Sequence, residues 1–183
     1  MSGVSETGTI YKPTTLTNYR GVDYIPEGWN IVNKDGPLTF IGLNSTNIIC
    51  LSAHGNPNSI VMKAKINDGN WNSVTVDQYT YYTARLNEGD TIAFSGANAR
   101  FSKDTDNYFN FATTGAVAVS GNVRSLVNYN PIDVSIHLQN CFNNLFSNSS
   151  GLVDASQFIS EGYLQTGCYQ YMFKNCTNLT AAP

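Results

Sequence analysis

Charge is what this 183-residue chain has least of: only 13% of its residues are Asp, Glu, Lys or Arg, about half the usual share. The ten Lys and Arg are scattered singly, and the formal net charge is -3. A run of phosphates could not be neutralised by such a set, so nucleic acid is excluded as an expected partner. Long apolar runs are also missing. Nothing approaches the about eighteen residues needed to span a bilayer, so membrane insertion is not expected. The opening MSGVSETGTIY has neither a basic n-region nor an apolar h-region, and a secretory leader is therefore not expected in this chain. Cysteine is sparse and unpaired in pattern. Cys50, Cys141, Cys168 and Cys176 make no CxxC, and His54 and His137 are remote from the C-terminal three, which argues against zinc and for buried thiols packing as small hydrophobes.

Catalytic motifs are missing too. There is no Gly-x-Ser-x-Gly, no metal-ligating His pair and no phosphate-cradling glycine loop, and Glu6, Glu27, Glu88 and Glu161 stand isolated. The expectation is a non-enzymatic protein without cofactor or metal. Asp104, Asp106 and Asn107 in KDTDNY alternate like calcium ligands, but the loop lacks the following Gly and distal Glu. A solvated turn explains it.

What is present is uncharged polarity and aromatic surface: 23 Asn, 17 Thr and 16 Ser, with 11 Tyr, 9 Phe and 2 Trp. Thr, Tyr and Phe suit pleated sheets, and Asn and Gly tolerate left-handed turns, so the mixture points to turn-rich β structure. Four Asn-x-Ser/Thr sequons, at Asn44, Asn148, Asn175 and Asn178, follow from that composition alone.

Three parts follow along the chain. Residues 1–35 read as an N-terminal arm or peripheral strand pair with irregular aromatics and no core of its own, suited to anchoring on another protein. Residues 36–130 read as an antiparallel β-sandwich of seven or eight strands. The expected strands are LTFIGL (Leu38 to Leu43), NIICLSA (Asn47 to Ala53, buried on both faces), and IVMKAKI (Ile60 to Ile66, with Met62, Ala64 and Ile66 inward). After a turn at Asn67 to Asn70 come a return strand with Trp71, Val74 and Val76, then QYTYYTARL, TIAFSG and YFNFATTGAVAVSGNV. Trp71, Tyr79, Tyr81 and Tyr82 are candidate ligand-binding aromatics, Tyr79 and Tyr81 on one strand face and Tyr82 on the other. Ordinary cross-strand packing is the alternative.

The texture changes after Asn128-Tyr129-Asn130-Pro131. In residues 131–183 a shift of 27 aligns Cys141 with Cys168, Leu145 with Met172, Phe146 with Phe173, Asn148 with Asn175, Leu152 with Leu179 and Ala155 with Ala182, while Ser149 faces Cys176. Such a period belongs to stacked repeats. Cys168, Met172, Phe173 and Cys176 fall at i, i+4, i+5 and i+8, the stripe of a short helix, before an extended segment from Leu179. One unit cannot bury that stripe alone.

CYQYMFKNCTNLTAAP resembles the repeat of BspA-like leucine-rich repeat surface proteins, matching at Cys168, Tyr169, Met172, Phe173, Cys176, Leu179, Thr180 and Pro183. The preceding β region, with LTF, the Asn67 to Trp71 hairpin, EGDTIAFSG and GNVRSLV, is similar to the domain found ahead of such repeats. The resemblance implies a mainly β fold ending in a short α/β leucine-rich-repeat-like segment. It also implies an adhesive display protein of gut bacteria or their phages, one that binds glycans or proteins. A polar start without a leader favours a homo-oligomeric fibre or decoration protein on a virion. An exported bacterial adhesin and a carbohydrate-binding accessory module of an enzyme are the alternatives. The stack stops without a polar cap, so the expectation is that further chain or another subunit covers its end.

Overall fold

The computed structural model describes residues 9–12, 30–33, 36–128, 139–160 and 165–183. Two short strands, β1 (Thr9–Lys12) and β2 (Asn30–Asn33), pair in parallel within the expected arm. The arm's other residues, and the boundary at 129–131, lie outside the described residues.

Strands β3 (Leu38–Gly42), β4 (Asn47–His54), β5 (Ile60–Ile66), β6 (Asn72–Val76), β7 (Tyr82–Leu86), β8 (Thr91–Gly96), β9 (Tyr108–Thr114) and β10 (Val117–Asn122) form the body, and β11 (Leu152–Ile159) follows much later. They build a six-stranded sheet in the order β11-β10-β3-β8-β5-β6 and a three-stranded sheet in the order β7-β4-β9. The chain mostly crosses from one sheet to the other at each turn. Alternation supplies the reason: Leu38 and Phe40, Met62 and Ala64, Val74 and Val76, Ile92 and Phe94 turn inward from the larger sheet. Ile49 and Leu51, Ala84 and Leu86, Phe109 and Phe111 turn inward from the smaller one, and all are buried. Phe40, Phe94 and Phe111 meet at the centre, with ring centroids 4.9 to 6.0 Å apart.

Several expectations are corrected here. The run Asn47 to Ala53 is not buried on both faces; β4 alternates, burying Ile49 and Leu51 and leaving Ile48 and Cys50 half-buried. Ile66 is exposed, because the turn begins beyond it. QYTYYTARL is a strand only from Tyr82. Pairing is not wholly antiparallel, since β11 joins β10 in parallel.

The largest correction concerns the tail. No helix forms at residues 139–148 or 166–175. Each runs as overlapping turns, Asn143 N–H bonding Asn140 C=O, Leu145 bonding Phe142, Ser147 bonding Asn144 and Ser149 bonding Phe146, at 3.0 to 3.3 Å. A left-handed residue every fourth position breaks any helix: Asn140, Asn144 and Asn148 have φ of 57° to 60°, as do Tyr171 and Asn175, while Gly167 has 71°. Asn reaches that region more readily than other side chains.

The tail packs into the sandwich rather than beside it. Phe146 lies 6.0 Å from Phe40 and 6.4 Å from Phe111. Gly151 N–H donates to Thr113 C=O at 2.9 Å, and Val117 N–H donates back to Gly151 C=O at 2.8 Å. A β-carbon at Gly151 would sit 2.6 to 2.8 Å from Thr114 backbone atoms. Only glycine lets the coil approach β9 so closely.

Truncating fully buried Phe146 should therefore destabilise the sandwich as well as the tail, in one transition. For Phe146→Ala we expect a loss of about 3–5 kcal/mol in urea unfolding, with near-UV circular dichroism and tail amide protection lost together. Two separated transitions would show the tail to be energetically independent.

Candidate functional site

Two features stand out, a tyrosine loop at the open flank of the sandwich and the stacked coils at its end. The loop, residues 77–81, joins β6 and β7, the edge strands of the two sheets. Asp77 organises it. Its Oδ1 accepts from Tyr79 N–H at 2.8 Å, Thr80 N–H at 2.9 Å and Thr80 Oγ1 at 2.9 Å, and Asp77 N–H donates to Thr80 Oγ1 at 3.1 Å. This is an Asx turn closed by a threonine. The Tyr79 amide first, then the Thr80 hydroxyl, hold the Asp77 carboxyl below its ordinary 3.8.

The loop turns two rings outward: Tyr79 is 84% exposed and Tyr81 71%. The structure does not gather the four candidate aromatics into one site. Tyr82 begins β7 and faces inward, its ring edge-on to Phe94 at 6.0 Å, and burial raises its phenol pKa. Trp71 precedes β6 while Tyr79 and Tyr81 follow it, so the five residues of β6 separate them by about 16 Å along the strand. Trp71 is half open, with Lys65 Nζ 5.5 Å from its ring centroid. The candidate binding surface therefore reduces to Tyr79 and Tyr81.

The second feature repeats every 27 residues in three dimensions. Unit 1 comprises coil 139–148 with β11; unit 2 comprises coil 166–175 with the extended segment from Leu179. Five turn bonds of unit 1, those at Asn143, Leu145, Ser147, Ser149 and Leu152, recur in unit 2: Gln170 N–H to Gly167 C=O, Met172 to Tyr169, Lys174 to Tyr171, Cys176 to Phe173 and Leu179 to Cys176. Identical positions stack: Phe146 on Phe173 at 5.3 Å and Phe142 on Tyr169 at 5.8 Å, both nearly parallel. Asn175 Nδ2 donates to Asn148 Oδ1 at 2.9 Å, Asn178 Nδ2 to Ser150 C=O at 2.8 Å, and Cys176 Sγ to Phe146 C=O at 3.0 Å.

All nine expected repeat-core residues lie in this stack. Cys141, Leu145, Phe146, Leu152, Cys168 and Met172 are buried, and Phe173, Cys176 and Leu179 are half-buried against the same core. Burial pushes the Cys141 thiol up to about 12 and raises Cys168 and Cys176 as well, so burial disfavours the reactive thiolate at all three. Sequence reasoning missed the Asp77 turn and the coil geometry. The available signal for the coil was Asn at 140, 144 and 148, three turn formers four apart.

Among the described residues, no group of three or more His, Cys, Asp or Glu converges as a metal site. In KDTDNY, Asp104 spends its oxygens on Asp106 N–H, Asn107 N–H and Asn107 Nδ2 at 2.8 to 3.1 Å, closing a turn.

Comparison with family models, with curated proteins and with solved structures finds no match to this chain.

The same hydrogen-bonding effect acts at three exposed turns. Asn67 and Asn87 lower Asp90, and Asn107 and Asp106 lower Asp104, as Tyr79 and Thr80 lower Asp77. Carboxylates depressed in the folded chain stabilise it above the ordinary 3.8 and lose that contribution as pH falls through their lowered values. Amide exchange at Tyr79 and Thr80, corrected for its intrinsic pH dependence, should stay slow down to about pH 4 and lose protection below it. In Asp77→Ala the protection should already be gone at neutral pH. Equal protection in that variant would show that Asp77 does not hold the loop.

Proposed function

We infer that this protein is a non-catalytic display and recognition module, in which the sandwich and stacked coils form a rigid body and the tyrosine loop makes the contact. The observation that carries this reading is the loop itself. Two large rings are exposed on a short connection whose backbone is pinned by Asp77, so binding them costs little loop ordering. Exposed Tyr faces suit a sugar ring or an apolar protein patch, the phenol offering a hydrogen bond at its tip. Saccharides on a host or mucosal surface are the ligand class favoured here.

The resemblance of residues 168–183 to BspA-like repeats supports the adhesive side of the reading, with the coil stack as a leucine-rich-repeat-like segment that lacks the helix. It equally supports display on the exterior of a phage particle, as an oligomeric fibre or decoration protein anchored by the N-terminal arm. An uncharged polar surface is compatible with that setting and does not by itself select it.

Binding to a glycan array decides the matter. Wild-type protein should retain one saccharide class, and Tyr79→Ala and Tyr81→Ala should each weaken that binding at least about tenfold, the scale of a lost anchor residue. Both rings are surface groups, so melting temperatures should be unchanged. Retention of full binding by the double variant, or no saccharide bound by the wild type, would remove the recognition role from this loop.

A further inference from the structure

The tyrosine loop borders a sheet face. Strands β7, β4 and β9 bury Ala84, Leu51 and Phe111 on their inner side, so alternation turns the intervening residues outward. Tyr82 pairs with Leu51 and faces inward. Tyr81, one residue earlier, therefore lies on the outer side, level with Ser52. Across β4, Ser52 pairs with Asn110 and His54 pairs with Tyr108. One row thus crosses the sheet from Tyr81 over Ser52 to Asn110, and the neighbouring row holds His54 and Tyr108.

Within these rows the side chains touch. Ser52 Oγ donates to Asn110 Oδ1 at 3.3 Å, and the rings of His54 and Tyr108 stack with centroids 4.7 Å apart and planes 20° from parallel. Asn110 Nδ2 donates onward to Ser147 C=O at 3.0 Å, so the coil at residues 139–148 forms the border opposite Tyr81. Asn110 is held from both ends. Among the described residues these bonds leave Ser52 Oγ its two lone pairs, and Asn110 one N–H and one lone pair. His54 is exposed, while Ser52, Tyr108 and Asn110 are half-buried. None of the three strands contains Asp or Glu, and Arg85 is their one formal cation. The face is a polar, nearly uncharged floor between aromatic rings.

We propose that this outer face continues the Tyr81 contact as an extended saccharide site, one that takes a chain of several sugar rings rather than a single ring. The proposal rests on the reading of the tyrosine loop as a saccharide contact. From Tyr81 to the stack of His54 on Tyr108 is two strand spacings across and two residues along, on the order of 12 Å, which is wider than one sugar ring. Aromatic rings at both ends suit the apolar faces of sugars, and neutral donors and acceptors between them suit hydroxyl groups. A polyanion would find only Arg85 to answer its charge. The core of a protein interface would need a larger apolar patch than these rings supply.

The test uses oligosaccharides released from gastric mucin and separated into monosaccharide, disaccharide and tetrasaccharide fractions, each competing with immobilised mucin for the full chain. The tetrasaccharide fraction should compete at about tenfold lower concentration than the monosaccharide fraction. It should also shift the amide signals of Ser52, His54, Tyr108 and Asn110 in proton–nitrogen correlation spectra, and leave those of Lys63 and Thr75, on the outer side of the other sheet, in place. The double variant Ser52→Ala/His54→Ala should lose the preference for length, Thr75→Ala should keep it, and both should melt as the wild type does. A length preference retained by the double variant, or unmoved signals at the four amides, would overturn the extended site; weakened binding by Tyr81→Ala in the same assay would leave the loop reading standing. No competition by any fraction, or full binding by Tyr81→Ala, would overturn both. Equal capture by deglycosylated mucin would assign the face to a polypeptide and overturn the proposal as well.

Discussion

Residues 139–148 bury their backbone without forming a helix or a strand, so their peptide groups must find partners outside their own layer. A buried peptide group left unpaired costs on the order of a lost hydrogen bond. The structure meets this constraint by layering. Carbonyls at alternate positions turn to the sandwich, amides at the intervening positions turn to the next coil, and the overlapping turns use the remaining groups. Packing of the coil against β9, the need for glycine at 151 and the 27-residue register all follow from it. A slip of one residue would take these amides away from the carbonyls of Thr166, Cys168, Gln170, Met172 and Lys174.

The aromatic residues run through that layering. Phe101 stacks on Phe111, Phe111 tilts against Phe40 and Phe94, Phe146 reaches both Phe40 and Phe111, and Phe173 stacks on Phe146, with Phe158 of β11 edge-on to Phe146 and Phe173. Neighbouring rings of this kind interact specifically as well as by burial. The row couples the sandwich to both coils, so the chemical boundary visible after Asn128 is not a boundary of the core. A reader of the sequence sees Pro131 and a change of texture; the packing carries one cluster across it.

Strands were legible where one face is wet. In β5 the alternation of Met62 and Ala64 with Lys63 and Lys65 sets both the limits and the facing, and β3, β9 and β10 alternate in a similar way, whereas β8 is buried on both faces. The tail's period was legible as well, because identical positions stack and so tend to carry similar side chains. Its conformation was not. Apolar residues at i, i+4, i+5 and i+8 fit a helix of 3.6 residues per turn and equally a ribbon that reverses every four residues. Only the Asn at 140, 144 and 148 separates the two. The tyrosine loop failed differently: Tyr79, Tyr81 and Tyr82 look like a strand because Tyr favours sheets, and the local competition won by the Asp77 carboxylate ends β6 early and delays β7 until Tyr82.

The scarcity of charge and the abundance of Asn share one cause. A fold whose connections are tight turns and whose coils at residues 139–148 and 166–175 are overlapping turns needs groups that pair with backbone at close range and tolerate left-handed φ. Asn does both with a neutral amide. Asn47 shows it in the interior, its Nδ2 donating to Asn44 C=O at 2.7 Å and Leu86 C=O at 3.1 Å while its Oδ1 accepts from Ala116 N–H at 3.0 Å, tying two turns together from a buried position. A carboxylate there could accept but not donate, and would carry the cost of a buried charge. Asn148 and Asn175 do the same between layers, where an amide offers donor and acceptor in one group and can repeat at every layer, whereas a column of stacked carboxylates would repel itself. The uncharged polar composition is thus first a requirement of the turns, and only secondarily a property of the surface.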